Sequence, residues 1–366
     1  MNNFTIKIYD NFYDVQKVWE EFEFNSTNTI FQSFNWLSLW YSVCVNLIFK
    51  SKPFIIFIYD KGQLVCIVPM CVTKYLGINI LEWMGKPFSD FNIPIFSEKF
   101  IIDKFNFDFL WKNIIYNNLI KIDATYLINQ KRFLGNFENP FVKYLANYFQ
   151  VLSYSIDTSN SFEEYKKEKK INNQSSHRID LKKLSKIGNI TFQYDLITLQ
   201  QKKESFEFFI KHKKNQLIST KAWNYLSKDY YVNFLQILSN KNKNSNHFML
   251  KLNESVIASC FGYEYKKIFY YIFPTYDFYY KKYSPGIVLL DFMIKYYFEK
   301  KINFNFTIGE EEYKRRWFTD KEDIFYYNKY YSLSGFLFIT FINTILLVKK
   351  NKIKKYFKYI YYFLKK

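Results

Sequence analysis

What most limits how this chain can fold is a pair of matching hairpins, one in each half. Residues 54–60 and 63–72 are apolar, β-branched runs separated by Lys61-Gly62, and residues 248–252 and 255–265 flank Asn253-Glu254 in the same way. Two such runs joined by a tight turn pair as antiparallel strands. A third strand is expected after each hairpin, at 78–84 and at 268–273. Helices are expected ahead of the first hairpin at 13–23 and 34–46, where apolar residues recur at three-and-four spacing. A further helix at 101–117 and strands at 124–128 and 151–156 complete the first half. In the second half, helix 287–300 and strands 304–308 and 324–331 follow the hairpin. Between the halves, the Lys-rich stretch 162–187 reads as one long helix capped by Gly188. The expectation is an α/β protein duplicated at the level of supersecondary structure. Its parts are 1–160, a linking helix 161–188, 189–331 and a tail 332–366.

A chain of 366 residues exceeds the usual size of one domain, in keeping with two units. Hydrophobic residues make up 49% and aromatics 23%, too apolar for a disordered protein. The formal charge of +19 would ordinarily point to a polyanionic partner. Lys, Asn, Ile, Phe and Tyr are all abundant, however, and A/T-rich codons specify all five, so genome bias accounts for most of the basic balance. The cysteines Cys44, Cys66, Cys71 and Cys260 lack paired zinc-ligand spacings and read as buried free thiols in a reducing compartment. Only His177, His212 and His247 are present, none in a metal-binding pattern, so neither a metal site nor a histidine triad is expected. The first residues show no secretory signal, and the apolar run 335–348 is broken by Thr340, Asn343 and Thr344 and falls short of the ~20 residues that cross a bilayer. A cytoplasmic protein is expected.

Two segments carry chemistry. Tyr276-Asp277-Phe278-Tyr279-Tyr280-Lys281-Lys282-Tyr283-Ser284-Pro285-Gly286 closes an aromatic strand and opens an apolar helix. A helix N-terminus offers unpaired amides and the positive end of the helix dipole to an anion such as a phosphate or pyrophosphate. Downstream, Asn305-Phe306-Thr307-Ile308-Gly309-Glu310-Glu311-Glu312-Tyr313-Lys314-Arg315-Arg316-Trp317 runs from a strand into a dense set of charges.

Laid over the pyrophosphate loop Q/R-x-x-G-x-G/A of GNAT acyltransferases, the first segment places Lys281 at the basic position, Lys282 and Tyr283 next, Ser284 at the middle glycine, then Pro285, and Gly286 at the last glycine. The Cβ of Ser284 narrows the approach to a phosphate. Other blocks follow in order from about residue 30 to 330: Phe31-Gln32-Ser33-Phe34-Asn35-Trp36-Leu37, Ile67-Val68-Pro69-Met70, Gly85 to Phe91 with Ser89-Asp90, His177-Arg178 to Gly188, and Gly309-Glu310 to Trp317. In this order they resemble the cellulose-biosynthesis-type acetyltransferases of the GNAT superfamily. The resemblance implies a tandem pair of GNAT-like domains, with mixed, mostly antiparallel sheets flanked by helices, as in the distantly related Fem-type peptidyltransferases. It implies that residues 189–331 hold an acyl-CoA, acetyl-CoA or another, with no metal, and that an amine or hydroxyl acceptor attacks the thioester directly.

An attacking amine with a pKa near that of lysine, ~10, must first lose a proton, and a nearby carboxylate can take it. Glu310 directly follows the strand-end glycine and is the first choice, with Glu311, Asp90 and Asp277 as the other candidates. Tyr313 or Tyr276 can protonate the departing thiolate, Tyr276 also stands at the substrate position, and Lys314 either binds an acidic substrate group or neutralises the glutamates.

The tail carries Lys349, Lys350, Lys352, Lys354, Lys355 and Lys358 interleaved with aromatics, a composition that either lies on an anionic membrane surface at the inner face or packs on the second unit. Two rival functions stay open. One is a Fem-like transferase drawing an aminoacyl group from charged tRNA, with the basic helix 166–186 as contact. The other is a degenerate GNAT scaffold serving as a binding module.

Overall fold

The computed structural model describes residues 4–43, 51–100, 106–116, 120–171, 176–194, 198–220, 222, 224–241 and 244–350. The first half contains β1 (Phe4–Tyr9), α1 (Gln16–Phe24), β2 (Ser26–Thr27), α2 (Phe34–Trp40), β3 (Ser51–Asp60), β4 (Gln63–Tyr75), β5 (Ile78–Trp83) and β6 (Ile95–Ser97). It continues with α3 (Phe107–Tyr116), β7 (Ala124–Lys131), the small pair β8 (Phe133–Leu134) and β9 (Phe137–Glu138), α4 (Pro140–Tyr144) and β10 (Tyr148–Ile156). Next come α5 (Phe162–Glu168), α6 (Ser176–Ser185), β11 (Ile190–Gln193), α7 (Leu199–Ser219), α8 (Asp229–Lys241), β12 (Ser245–Leu252) and β13 (Ser255–Tyr265). The last elements are β14 (Ile268–Tyr276), α9 (Pro285–Lys300), β15 (Asn303–Ile308), β16 (Asp320–Tyr330) and α10 (Leu333–Lys350).

These elements form a mixed α/β fold around one large sheet in the order β1-β3-β4-β5-β7-β16-β10-β15-β14-β13-β12-β11, with helices on its faces. The two halves share a plan. In each, a first strand and two helices precede a three-stranded antiparallel meander, a helical crossover returns to a parallel strand, and a final strand leaves the unit. The parallel pairs are β5 with β7 and β14 with β15, each spanned by a helix, as parallel strands require. The final strands are exchanged: β10 of the first half lies antiparallel to β15, and β16 of the second lies antiparallel to β7. Strand exchange fuses the halves into one continuous sheet.

A shared core seals that junction. Trp19, Trp36 and Phe57 of the first half pack in one cluster with Phe209, Phe234, Phe261 and Tyr263 of the second. Trp36 meets Tyr263 edge-on at 5.2 Å between ring centroids, and Phe31 meets Tyr270 at 5.5 Å. A separate cluster beneath α9, built on Phe248, Phe269, Leu289 and Phe304, fills the opposite face of the second half. With α7 and α8 on one face and α9 on the other, the second half is a sheet covered on both sides.

Several expectations change. The stretch read as one helix is two, α5 and α6, with Lys170 at φ +55 ending the first. Gly188 does not cap α6, which ends at Ser185; it packs against Leu252 and Asn253 of the second hairpin, where a Cβ would come within 2.8 Å of both. Neither α7 nor α8 was anticipated from the sequence. The buried stripe of α7 is thin, Ser205, Phe206, Phe209 and Leu217, but its capping box, Thr198 with Gln201, is legible in the sequence. Residues 44–46 of the expected second helix, 101–105 and 117 of the third, and the lysine-rich tail beyond residue 350 lie outside the described residues. Among the described residues no helix is long and apolar enough to cross a membrane.

Gly262 in β13 faces a place where a side chain cannot fit, since a Cβ there would collide with the Tyr270 carbonyl oxygen and the Phe269 ring. Gly262→Ala is expected to cost about 1–3 kcal/mol, the usual range for overpacking, read as a lower urea midpoint with an unchanged slope.

Candidate active site

The strands β14 and β15 run parallel for only three pairs, Ile268–Asn303, Phe269–Phe304 and Tyr270–Asn305. Immediately beyond, each carries an extra residue. Tyr271 and Ile272 stand opposite the single residue Gly262, and Phe306 and Thr307 stand opposite the single residue Tyr154. An extra residue bends its strand and breaks the ladder locally. Thr307 sits at φ +59, a rare conformation for a β-branched residue, and its N–H donates to the Asn305 side-chain oxygen at 2.8 Å. Two bulges at the same level drive the strands apart, and among the described residues the edge of β14 from Tyr271 to Tyr276 has no strand partner on that side. The gap is a cleft of about 620 Å³, lined by residues from both faces of the sheet.

On the α9 face the wall is the turn leading into that helix. Asp277 accepts from the Tyr279 N–H at 3.0 Å, Ser284 adopts a left-handed conformation (φ +46, ψ +48), and Pro285 opens α9. Fewer amides are free than a helix start would suggest. The Ser284 N–H donates to the Lys281 carbonyl, and those of Ile287 and Val288 return to the Ser284 carbonyl. Because Pro285 has no N–H, the Gly286 amide is the one in the first turn without a backbone partner among the described residues. Gly286 lies under the Tyr276 ring, which a Cβ would meet at 3.3 Å. Lys281, Ser284, Gly286 and Ile287 line the cleft, with the Lys281 ammonium 4.9 Å from the Phe278 ring centroid.

The opposite face supplies Lys213 and Gln216 from α7 and Asp90 from the first half. Asp90 sits in a loop fixed by the helices before the first hairpin. Trp36 Nε1 donates to Ser89 Oγ at 3.2 Å, Trp40 Nε1 to the Lys86 carbonyl at 2.8 Å, and Gln32 Nε2 to the Phe91 carbonyl at 2.6 Å. Gly85 starts the loop at φ +92, where a Cβ would strike Ser89. The blocks around residues 31–37 and 85–91 are thus one structural unit that presents Asp90.

Protein surrounds the Asp90 carboxyl except at the cleft. Burial pushes its pKa up to about 6, against the Thr307 hydrogen bond and the Lys314 charge, which lower it, and with Glu311, which raises it. Lys314 is buried, donating to the Ile308 carbonyl at 2.9 Å and pairing with Glu311 Oε2 at 2.8 Å. Lys213 donates to the Pro274 carbonyl at 3.2 Å, and burial lowers its pKa. Tyr313 is held well above the usual tyrosine range, chiefly by burial and then by Glu311, so it keeps its proton at neutral pH.

The structure therefore brings Asp90, Tyr276, Lys281, Ser284, Gly286, Glu311, Tyr313 and Lys314 to one cleft. It does not bring Glu310, Asp277, Lys282, Tyr283 or Pro285 onto its walls. Glu310 points into solvent, 3.8 Å from Arg315. Asp277 caps the turn and faces His212 Nδ1 at 3.7 Å. Lys282 is exposed, lying 4.9 Å from the Tyr283 ring centroid, and Pro285 is buried at the helix start. Lys213 and Gln216 were missed because α7 itself was not recognised. Among the described residues no group of three or more His, Cys, Asp or Glu side chains is placed to hold a metal.

Residues 173–315, which include α7, the splayed strands, the turn and Lys314, match the family model of the Acetyltransferase (GNAT) domain. This stretch is similar to GNAT-type acetyltransferase domains. Among solved structures, FemX is similar over 88% of this chain and 97% of its own, at 9% identity and a TM-score of 0.58. A conserved protein of unknown function from Bacteroides thetaiotaomicron is similar over 88% of this chain and 99% of its own, at 10% identity and a TM-score of 0.50. Likeness at this identity concerns the fold. No curated protein matches the sequence.

With its pKa raised from 3.8 to about 6 on folding, Asp90 releases its proton from the unfolded chain first as pH rises. Its ionisation therefore subtracts stability between pH ~4 and ~6. Asp90→Asn should be more stable than the wild type above pH 6 and lose that advantage near pH 4, measured by urea denaturation across the range.

Proposed function

We propose that this protein is an acyltransferase that moves an acyl group from acyl-CoA to an amine or hydroxyl of a small-molecule or saccharide acceptor, with Asp90 as the general base. The observation that carries the proposal is the Asp90 carboxyl, delivered by the first half into the cleft that opens between β14 and β15 of the GNAT-type domain. A pKa of about 6 leaves the carboxylate ionised at neutral pH and basic enough to accept a proton.

In this reading residues 189–331 bind the donor and residues 1–160 present the base. The segment 161–188 joins them. The pyrophosphate meets the Gly286 N–H and the positive end of α9, with Lys281 beside it. Along the unpaired edge of β14 the donor's pantetheine arm takes the place of a strand, and main-chain N–H groups there face the thioester oxygen. The acceptor nitrogen attacks the carbonyl carbon while its proton passes to Asp90. The C–S bond then breaks, and the thiolate takes a proton from Tyr313 or Tyr276. Glu311 and the Ile308 carbonyl fix Lys314 at the cleft wall, which supports a neutralising and positioning role for this lysine.

The fold likeness to FemX keeps a second reading alive, an aminoacyl group taken from charged tRNA. Against it, two lysines of α5 and α6 are already paired locally, Lys166 with Glu163 at 2.7 Å and Lys183 with Asp180 at 3.4 Å. The finer assignment to the cellulose-biosynthesis type, a role in polysaccharide synthesis and a cytoplasmic location are part of the same proposal. So is peripheral membrane contact through α10, whose Leu333 and Leu337 are exposed and whose sequence continues into the lysine-rich tail. Vesicle sedimentation tests that contact: the full chain should pellet with anionic vesicles and not with neutral ones, and equal recovery would refute it.

Asp90→Asn should lower kcat for acetyl-CoA turnover by about 10²–10⁴-fold, the range expected for a general base, with little change in donor KM. Wild-type kcat should rise through pH ~6 as the carboxylate ionises. A variant with full turnover excludes Asp90 as the base. Activity that needs charged tRNA and falls steeply with salt would favour the second reading.

A further inference from the structure

From the α7 wall of the cleft we infer that the acceptor is a compact zwitterion, an amine with an acidic group close by, and that Lys213 is the residue that selects the acid. The inference rests on the acyltransferase reading and deepens it. Lys213 and Gln216 lie one helical turn apart on α7, so their side chains share a face, and both line the cleft on the same side of the sheet as the Asp90 loop.

The polar groups at this wall are incompletely matched. Gln216 Oε1 is buried without a hydrogen-bond partner among the described residues, and so is Thr275 Oγ1, another cleft residue. Buried polar atoms in native proteins are nearly always bonded, and those at a cleft that are not await a ligand or a water. A carboxylate at Asp90 and a free amide oxygen at Gln216 are both acceptors, suited to the N–H groups of an ammonium. Lys213 has three donors, of which one goes to the Pro274 carbonyl.

Of the three lysines that line the cleft, Lys281 stands beside the donor's pyrophosphate in the proposed reading, and charge decides between Lys213 and Lys314. Lys314 has its carboxylate, Glu311, at 2.8 Å, and a second anion beside it would meet repulsion from that partner. Lys213 hydrogen-bonds a neutral carbonyl instead, so on this wall its positive charge is more open to an acid than that of Lys314. Burial lowers its pKa, Cys260 and Glu311 oppose that shift and Lys314 adds to it, and a ligand carboxylate or phosphate in direct contact would favour its charged form. An amine placed at Asp90 and Gln216 with an acid at Lys213 means that both groups sit on a small molecule.

Matched amine pairs test this: β-alanine against n-propylamine for a carboxylate, and glucosamine 6-phosphate against glucosamine for a phosphate. Binding to the full chain without donor is followed by NMR titration, and thiol release from acetyl-CoA separately. The acidic member of at least one pair should bind about tenfold or more tightly than its neutral partner, and the arm that discriminates names the acid. Lys213→Met should bring that ratio toward one, and Lys213→Arg should restore most of it. Equal or absent binding of both members in both pairs overturns the inference, as does a Lys213→Met variant that keeps the preference. Discrimination in binding with no thiol release from acetyl-CoA supports the zwitterion site and refutes the acyl-CoA reading instead.

Discussion

Everything proposed for this protein depends on the failure of one strand pairing. The parallel strands β14 and β15 hold together for three residue pairs and then separate, because each carries a bulge at the same level. Backbone hydrogen-bonding groups inside a sheet are normally paired, so a gap in a central ladder carries a free-energy cost that a purely structural sheet would avoid. The gap survives here because its surroundings compensate: β13 and β10 remain paired to the outer edges of the two strands, and the Asn305 side chain satisfies the Thr307 N–H. Gly262 lets β13 approach the bulge without collision.

The second constraint is the junction between the halves. Exchange of β10 and β16 makes one sheet of two units, and a common aromatic core holds the helices of both halves against it. Trp36 shows the coupling most directly. One edge of its ring contacts Tyr263 of the second half, while its Nε1 holds Ser89, the residue before Asp90. The position of the candidate base is therefore set by packing between the halves, and a loosened junction would displace it from the cleft.

Much of the frame was legible in the sequence. Both hairpins, the strands that follow them, the crossover helix α9 and the turn at Ser284-Pro285-Gly286 lie where apolar alternation and turn residues put them, because these signals act between residues close in the chain. The readings that changed had weak local signals. Helix α7 presents only a thin apolar stripe, and the break between α5 and α6 lies in a stretch whose lysines look uniformly helical. The same limit applies to the carboxylates. Glu310 stands next to Gly309 in sequence and points away from the cleft, whereas Asp90, remote in sequence, lines it.

Taken alone, the amino-acid sequence determined the alternation of strands and helices, the duplicated plan and the helix-opening turn, each a consequence of periodicity and backbone preference over a few residues. Only the tertiary structure decided where β14 and β15 part, which carboxylate reaches the gap, and that α7 contributes Lys213 and Gln216. Bulge registers depend on partner strands, and the approach of Asp90 to Thr307 depends on a core assembled from both halves. Neither is encoded in any stretch short enough for local physics to read.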